Sequence, residues 1–115
     1  MTESGLDASN HPLAELRREI DTIDAEMIAL LARRFACLDR VIAVKRREGL
    51  PAAIIERVEE VVANVRAAAE KQGTPPDFAE AAWRTIIEWS IAYEHARLDR
   101  PPLSLSATPS PEGER

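Results

Sequence analysis

With 115 residues the chain has room for one domain, and 45% hydrophobic but only 4% aromatic residues call for an aliphatic, Ala-rich core of closely packed helices rather than a sheet. A formal net charge of -5 and a pI near 5.1 argue against nucleic acid, which requires a basic face. No apolar run approaches the roughly 20 residues that span a bilayer, the start MTESGLDASN lacks the features of a secretory signal, and the single Cys37 cannot form an internal disulfide, so a cytoplasmic location is the default expectation.

Residues 1–10 are small and polar and are expected to be disordered. Asn10 can cap a helix that holds Pro12 in its first turn, where a missing N–H is harmless. From Leu13 the pattern predicts one very long helix to about Glu48. Leu13, Leu16, Ile20, Ile23, Met27, Leu30, Val41 and Val44 recur at steps of three and four, the period of an amphipathic helix. The same period takes in Arg34 and Cys37, the latter as a small core residue, and sets Lys45 beside the stripe. Such a helix is roughly 54 Å long, whereas a compact monomer of this size has a radius of gyration near 13 Å. The stripe therefore needs apolar cover, most simply from a second copy of the chain.

Gly49 and Pro51 stop this helix, and residues 49–53 form a short loop. A second helix is predicted from about Ala53 to Gln72, with Ile54, Ile55, Val58, Val61, Val62 and Val65 on its apolar side and Gly73 as its stop. Thr74, Pro75 and Asp77 make an approximate capping box for a third helix that runs to about Asp99. Its inner side is expected to carry Phe78, Ala82, Trp83, Ile86, Ile87, Ser90, Ile91 and Glu94, with both tryptophans, Trp83 and Trp89, as packing anchors. Pro101 and Pro102 end it, and LSLSATPSPEGER reads as a disordered Ser/Pro-rich tail. The fold class is all-α: a helical domain over residues 11–100 and a tail over 101–115.

The candidate chemistry lies in cations that interrupt apolar faces. Arg34 and Lys45, eleven residues apart, leave the first helix in nearly the same direction with backbones about 16 Å apart, a span that two long side chains can close around a benzoate-sized anion. Arg57 opens the second helix and can be folded over the same space by the loop. Arg17 is too far from Lys45 to share a site within one chain, but an antiparallel partner helix would bring it in from another subunit. Ser90 and Glu94 point inward at i, i+4 spacing. The set suits a dianionic ligand with a further polar centre.

Each residue also has an ordinary role. Arginines on a long helix are mostly solvated or ion-paired, as Arg33, Arg40, Arg46 and Arg47 are expected to be, and Arg17 can pair with Asp21. An inward Glu94 needs a partner, for which a helix–helix ion pair is the simplest account. Ser90 serves as a small packing residue, and His11 and His95 as surface residues. With no Cys/His cluster, no metal site is expected.

The segments LAELRREIDTIDAEMIALLARRF and IIEWSIAYE, with the Lys45 to Arg57 spacing between them, resemble the all-α chorismate mutase family over roughly residues 13–99. The resemblance implies three helices per chain in an intertwined homodimer. It implies that Arg17 reaches into the partner's site and joins Arg57 on one substrate carboxylate. Arg34 then takes the other, Lys45 lies near the ether oxygen, and Ser90 joins from the third helix. The implied reaction is the pericyclic rearrangement of chorismate to prephenate, in aromatic amino acid biosynthesis from the shikimate pathway. It needs no cofactor and no metal. Val58 stands where typical members carry a Glu for the C4 hydroxyl, and Glu94 where many carry Gln. These departures and the short GLPAAIIERV loop also resemble the isochorismate-pyruvate lyases and the 4-amino-4-deoxychorismate mutases. A Glu94 that donates to the ether oxygen must carry a proton, while an ionised one can pair with a 4-ammonium. Outside enzymology, the chain can be read as a helical dimer acting as an interaction module, or as a domain that binds an aromatic metabolite without turning it over.

Overall fold

The computed structural model describes residues 11–98. The two segments expected to be disordered, the Asn10 cap and Asp99 lie outside the described residues. Within them the chain forms α1 (Pro12–Glu48), α2 (Ile55–Gln72) and α3 (Pro76–Leu98), and no strand. The all-α reading holds, with a first helix of 37 residues.

Local chemistry accounts for the boundaries. Pro12 occupies the first position of α1, and His11 supplies a cap through Nδ1, which accepts the Leu13 N–H at 3.0 Å. At the other end Gly49 takes a left-handed conformation (φ 70°), and the Leu50 N–H closes on the Lys45 carbonyl at 2.8 Å. Helix α2 starts at Ile55 rather than Ala53, because no Ser, Thr, Asp or Asn precedes it and Ile54 caps with its backbone alone. It stops at Gly73 (φ 76°), where Thr74 donates to the Ala69 carbonyl at 2.9 Å.

The chain divides into two compact units at Cys37 and Leu38. The first contains α1 up to Cys37. Its stripe residues Leu13, Leu16, Ile20, Ile23, Met27 and Leu30 are between 45% and 57% exposed. Cys37 is exposed as well, which corrects its assignment to the core: the stripe it continues has no cover in a single chain.

The second unit contains Leu38–Glu48 of α1 with α2 and α3, around a core of Leu38, Ile42, Ala52, Val62, Ala69, Ala79 and Ile87. Five residues expected on apolar faces are exposed instead: Val41 (37%) and Val44 (40%), which continue the α1 stripe, and Ile55 (66%), Phe78 (66%) and Trp89 (68%). On α3 the buried line runs through Ala79, Ile87, Ser90 and Glu94. Phe78 and Trp89 each precede a member of that line by one residue, about 100° of rotation, which carries them outward. Ile55 is the first residue of α2, where the turn is still open.

Polar ties complete this unit. The Tyr93 hydroxyl donates to Asp39 Oδ1 at 2.7 Å, a bond that raises the phenol above its ordinary value, and Arg97 stacks on the Tyr93 ring at 3.6 Å. Arg66 bridges Asp77 and Glu80 at 2.9 and 2.8 Å, and Arg84 bridges Glu80 and Glu59 at 2.7 and 3.3 Å. Hydrogen bonds from Arg84 and then Arg66 hold the Glu80 carboxyl below its ordinary value of 4.5. A depressed carboxyl stabilises the fold above the unfolded-state value and loses that contribution as pH falls through the folded one. The melting temperature is therefore expected to decline modestly below about pH 4.5, and Glu80→Gln to flatten that decline; identical acid profiles would remove Glu80 from the account.

Candidate functional site

The last turn of α1, the loop after it and the second half of α3 meet at Lys45. Its Nζ donates to Glu94 Oε1 at 2.7 Å and to the Ala52 carbonyl at 2.7 Å. The two charged side chains are only 14% and 7% exposed. Gly49 produces this convergence: its left-handed turn ends α1 one residue past Glu48 and lets the loop return over Lys45. Of the three N–H groups of a lysine ammonium, two are engaged and one remains to donate. A pair this enclosed survives because each charge has a partner, and losing either leaves the other buried and uncompensated.

Ser90 lies one turn before Glu94 on the same buried face, and its hydroxyl donates to the Ile86 carbonyl at 2.8 Å. Val58 is half-buried on α2. Arg57, in the first turns of α2, is 63% exposed in its side chain and turns to Glu60 at 2.8 Å rather than joining Lys45 and Glu94. Arg17 and Arg34 belong to the first unit, where Arg17 is exposed and Arg34 half-buried. Arg17 forms no ion pair with Asp21. Of the residues singled out from sequence, the fold thus joins Lys45 and Glu94 directly and sets Ser90 alongside. A cavity of about 300 Å³ adjoins Lys45, lined also by Arg46, Leu50, Pro51, Ala52, His95 and Leu98, and contains no other predicted site residue.

The helix–helix ion pair expected for an inward Glu94 forms, with Lys45 of α1 as its partner. One feature escaped sequence reasoning: the Ala52 carbonyl is a backbone acceptor, and nothing in the identity of an alanine signals it.

The arrangement offers a fixed ammonium beside a carboxylate, a setting for electrostatic stabilisation of an oxygen that gains charge. The profile of the family described as Chorismate mutase type II matches residues 16–95. A T-protein of Enterobacter agglomerans and one of Haemophilus influenzae are each 37% identical over 83 residues, covering 72% of this chain but 22% of theirs. The chain thus spans about a fifth of the length of these relatives. An isochorismate pyruvate lyase of Pseudomonas aeruginosa is 37% identical over 82 residues, 70% of this chain and 78% of that one. The match over most of the helical domain leaves one conclusion: the chain belongs to the type II chorismate mutase family.

Proposed function

We propose that the protein is a chorismate mutase, an isomerase that rearranges chorismate to prephenate. The observation that carries this reading is the Lys45 ammonium, held by two 2.7 Å bonds with one N–H left to give. The reaction is unimolecular and needs neither a nucleophile nor proton transfer, so positioning and charge are what a protein contributes. Arginines at the two carboxylates fold the enolpyruvyl arm over the ring, and Lys45 meets the ether oxygen as its bond to carbon breaks. An ammonium anchored beforehand does not have to reorganise when the charge appears.

The assignment needs a second copy of the chain. Six half-exposed stripe residues on α1 support such a partner, which would bring Arg17 to the site formed by Arg34, Lys45 and Arg57 of the neighbour. In this reading the homodimer works in the cytoplasm, in aromatic amino acid biosynthesis.

One second reading has an observation of its own: the similarity to an isochorismate pyruvate lyase extends over 78% of that protein. The lyase reaction cleaves the corresponding ether with the same kind of carboxylate clamp. Product analysis with chorismate, isochorismate and 4-amino-4-deoxychorismate side by side decides. Prephenate as the fastest product is the expected result. Pyruvate released fastest from isochorismate would assign the lyase, and the amino substrate turned over fastest would assign its mutase. No turnover of any of them, with no rise in melting temperature on adding a bicyclic dicarboxylate transition-state mimic, would leave an interaction or metabolite-binding module.

A further inference from the structure

The side of α3 that faces away from its buried line carries a second apolar row. Phe78, Ala82, Thr85, Trp89, Ala92 and Ala96 follow one another at steps of four and three, the period of one helix face. The row lies roughly 140° around the axis from the line of Ala79, Ile87, Ser90 and Glu94. Ala82 is half-buried and the other five are exposed. The two aromatic members, Phe78 and Trp89, are 66% and 68% exposed, and Thr85 already satisfies its hydroxyl on the Ala81 carbonyl at 3.3 Å. Two exposed rings on one face of a helix make an apolar patch that needs cover.

The chain itself holds a segment of matching form. Beyond α3, Pro101 and Pro102 bar a continued helix, and then Leu103, Leu105 and Ala107 alternate with Ser104, Ser106 and Thr108. A period of two gives an extended segment one apolar and one polar side. So Ser-rich a segment has too little apolar surface to fold alone, but it can order on a surface that receives its apolar side. The lengths agree: residues 103–107 span about 13 Å when extended, and Trp89 to Ala96 about 10 Å along the helix. The five steps from Leu98 to Leu103 reach up to about 17 Å, enough to turn the chain back onto the last turn of α3.

We propose that residues 103–107 pack in extended form, antiparallel to α3, along this outward row. The sizes complement each other: Leu103 and Leu105 face the small Ala96 and Ala92, and the small Ala107 faces Trp89, whose ring also abuts Leu105. The segment is tethered to the helix it covers, at an effective concentration on the order of millimolar, so few contacts suffice.

The test is acrylamide quenching of Trp89 fluorescence in the full chain, with Trp83→Phe leaving Trp89 as the sole tryptophan. Leu103→Ser and Leu105→Ser together are expected to raise the quenching constant about twofold, as the ring passes from covered to open. Ser104→Ala with Ser106→Ala, on the other side of the segment, should leave it unchanged. Should Trp83→Phe not fold, 5-fluorotryptophan at both positions gives two fluorine resonances, one of which should move with the leucine changes alone. Quenching indifferent to the leucines, equal effects of the leucine and serine pairs, or two unmoved resonances would overturn the proposal. Quenching that climbs to the level of the leucine variant on dilution would overturn it too, and would assign the cover to a second copy of the chain.

Discussion

Lys45→Ala is expected to lower kcat/KM on chorismate by about 100- to 1000-fold, the loss seen when one charge-stabilising donor is removed from an active site. Stability should fall in parallel by about 3–5 kcal/mol, the cost of breaking a buried ion pair from one side. Both losses follow from one group. In the proposed mechanism the ammonium is the donor to the breaking C–O bond; in the fold it is the counter-charge of a carboxylate that is only 7% exposed and the partner of the Ala52 carbonyl. A second variant separates the two effects. Replacing Lys45 and Glu94 together by apolar residues of similar volume should restore most of the stability, since no charge is then left buried alone, while turnover stays lost. Chemical denaturation and progress curves of chorismate loss measure both quantities. Lys45→Ala with wild-type turnover would remove Lys45 from the chemistry, and a double variant that regains activity would do the same for the pair.

The second prediction concerns the exposed face of α1. Leu16 is 56% exposed, Ile20 54% and Ile23 46%, on a helix whose regular spacing marks these positions for burial. Covering each by a partner is worth roughly 1.5–3 kcal/mol. Ile20→Glu is expected to convert the proposed dimer into a monomer in sedimentation velocity and to abolish turnover, because the proposed site then lacks the Arg17 that a second copy would supply. Mixing tests the sharing directly. Arg17→Ala and Arg57→Ala should each be inactive alone. Co-folded in equal amounts, half of the dimers are mixed, and each mixed dimer carries one intact site, so about a quarter of wild-type activity should return under two-fold symmetry. Restoration of none, with mixed dimers present, would mean that Arg17 acts within its own chain.

The fold was legible wherever the cause is local. An unbroken run of helix formers without Gly or Pro makes α1, and Gly49 and Gly73 end helices because a left-handed residue closes the last turn at little cost. Helix starts were less legible, because Ile54 caps α2 through its backbone and offers no side-chain signal. Rotation about a helix axis was less legible still. An apolar count placed Phe78 inside, but the buried line passes through Ala79, and Trp89 stands outside next to buried Ser90.

The candidate site divides along the same line. Residue types and spacing, with the family resemblance they carry, name Arg17, Arg34, Lys45, Arg57, Val58, Ser90 and Glu94 as a group. Only the folded chain decides that Lys45 is bound by Glu94, 49 residues away, and by the Ala52 carbonyl, while Arg57 turns to Glu60. Helical periodicity is a property of neighbours along the backbone and can be counted in advance. The choice of partner for a buried charge depends on which segments the packed core brings together, and that is decided in three dimensions.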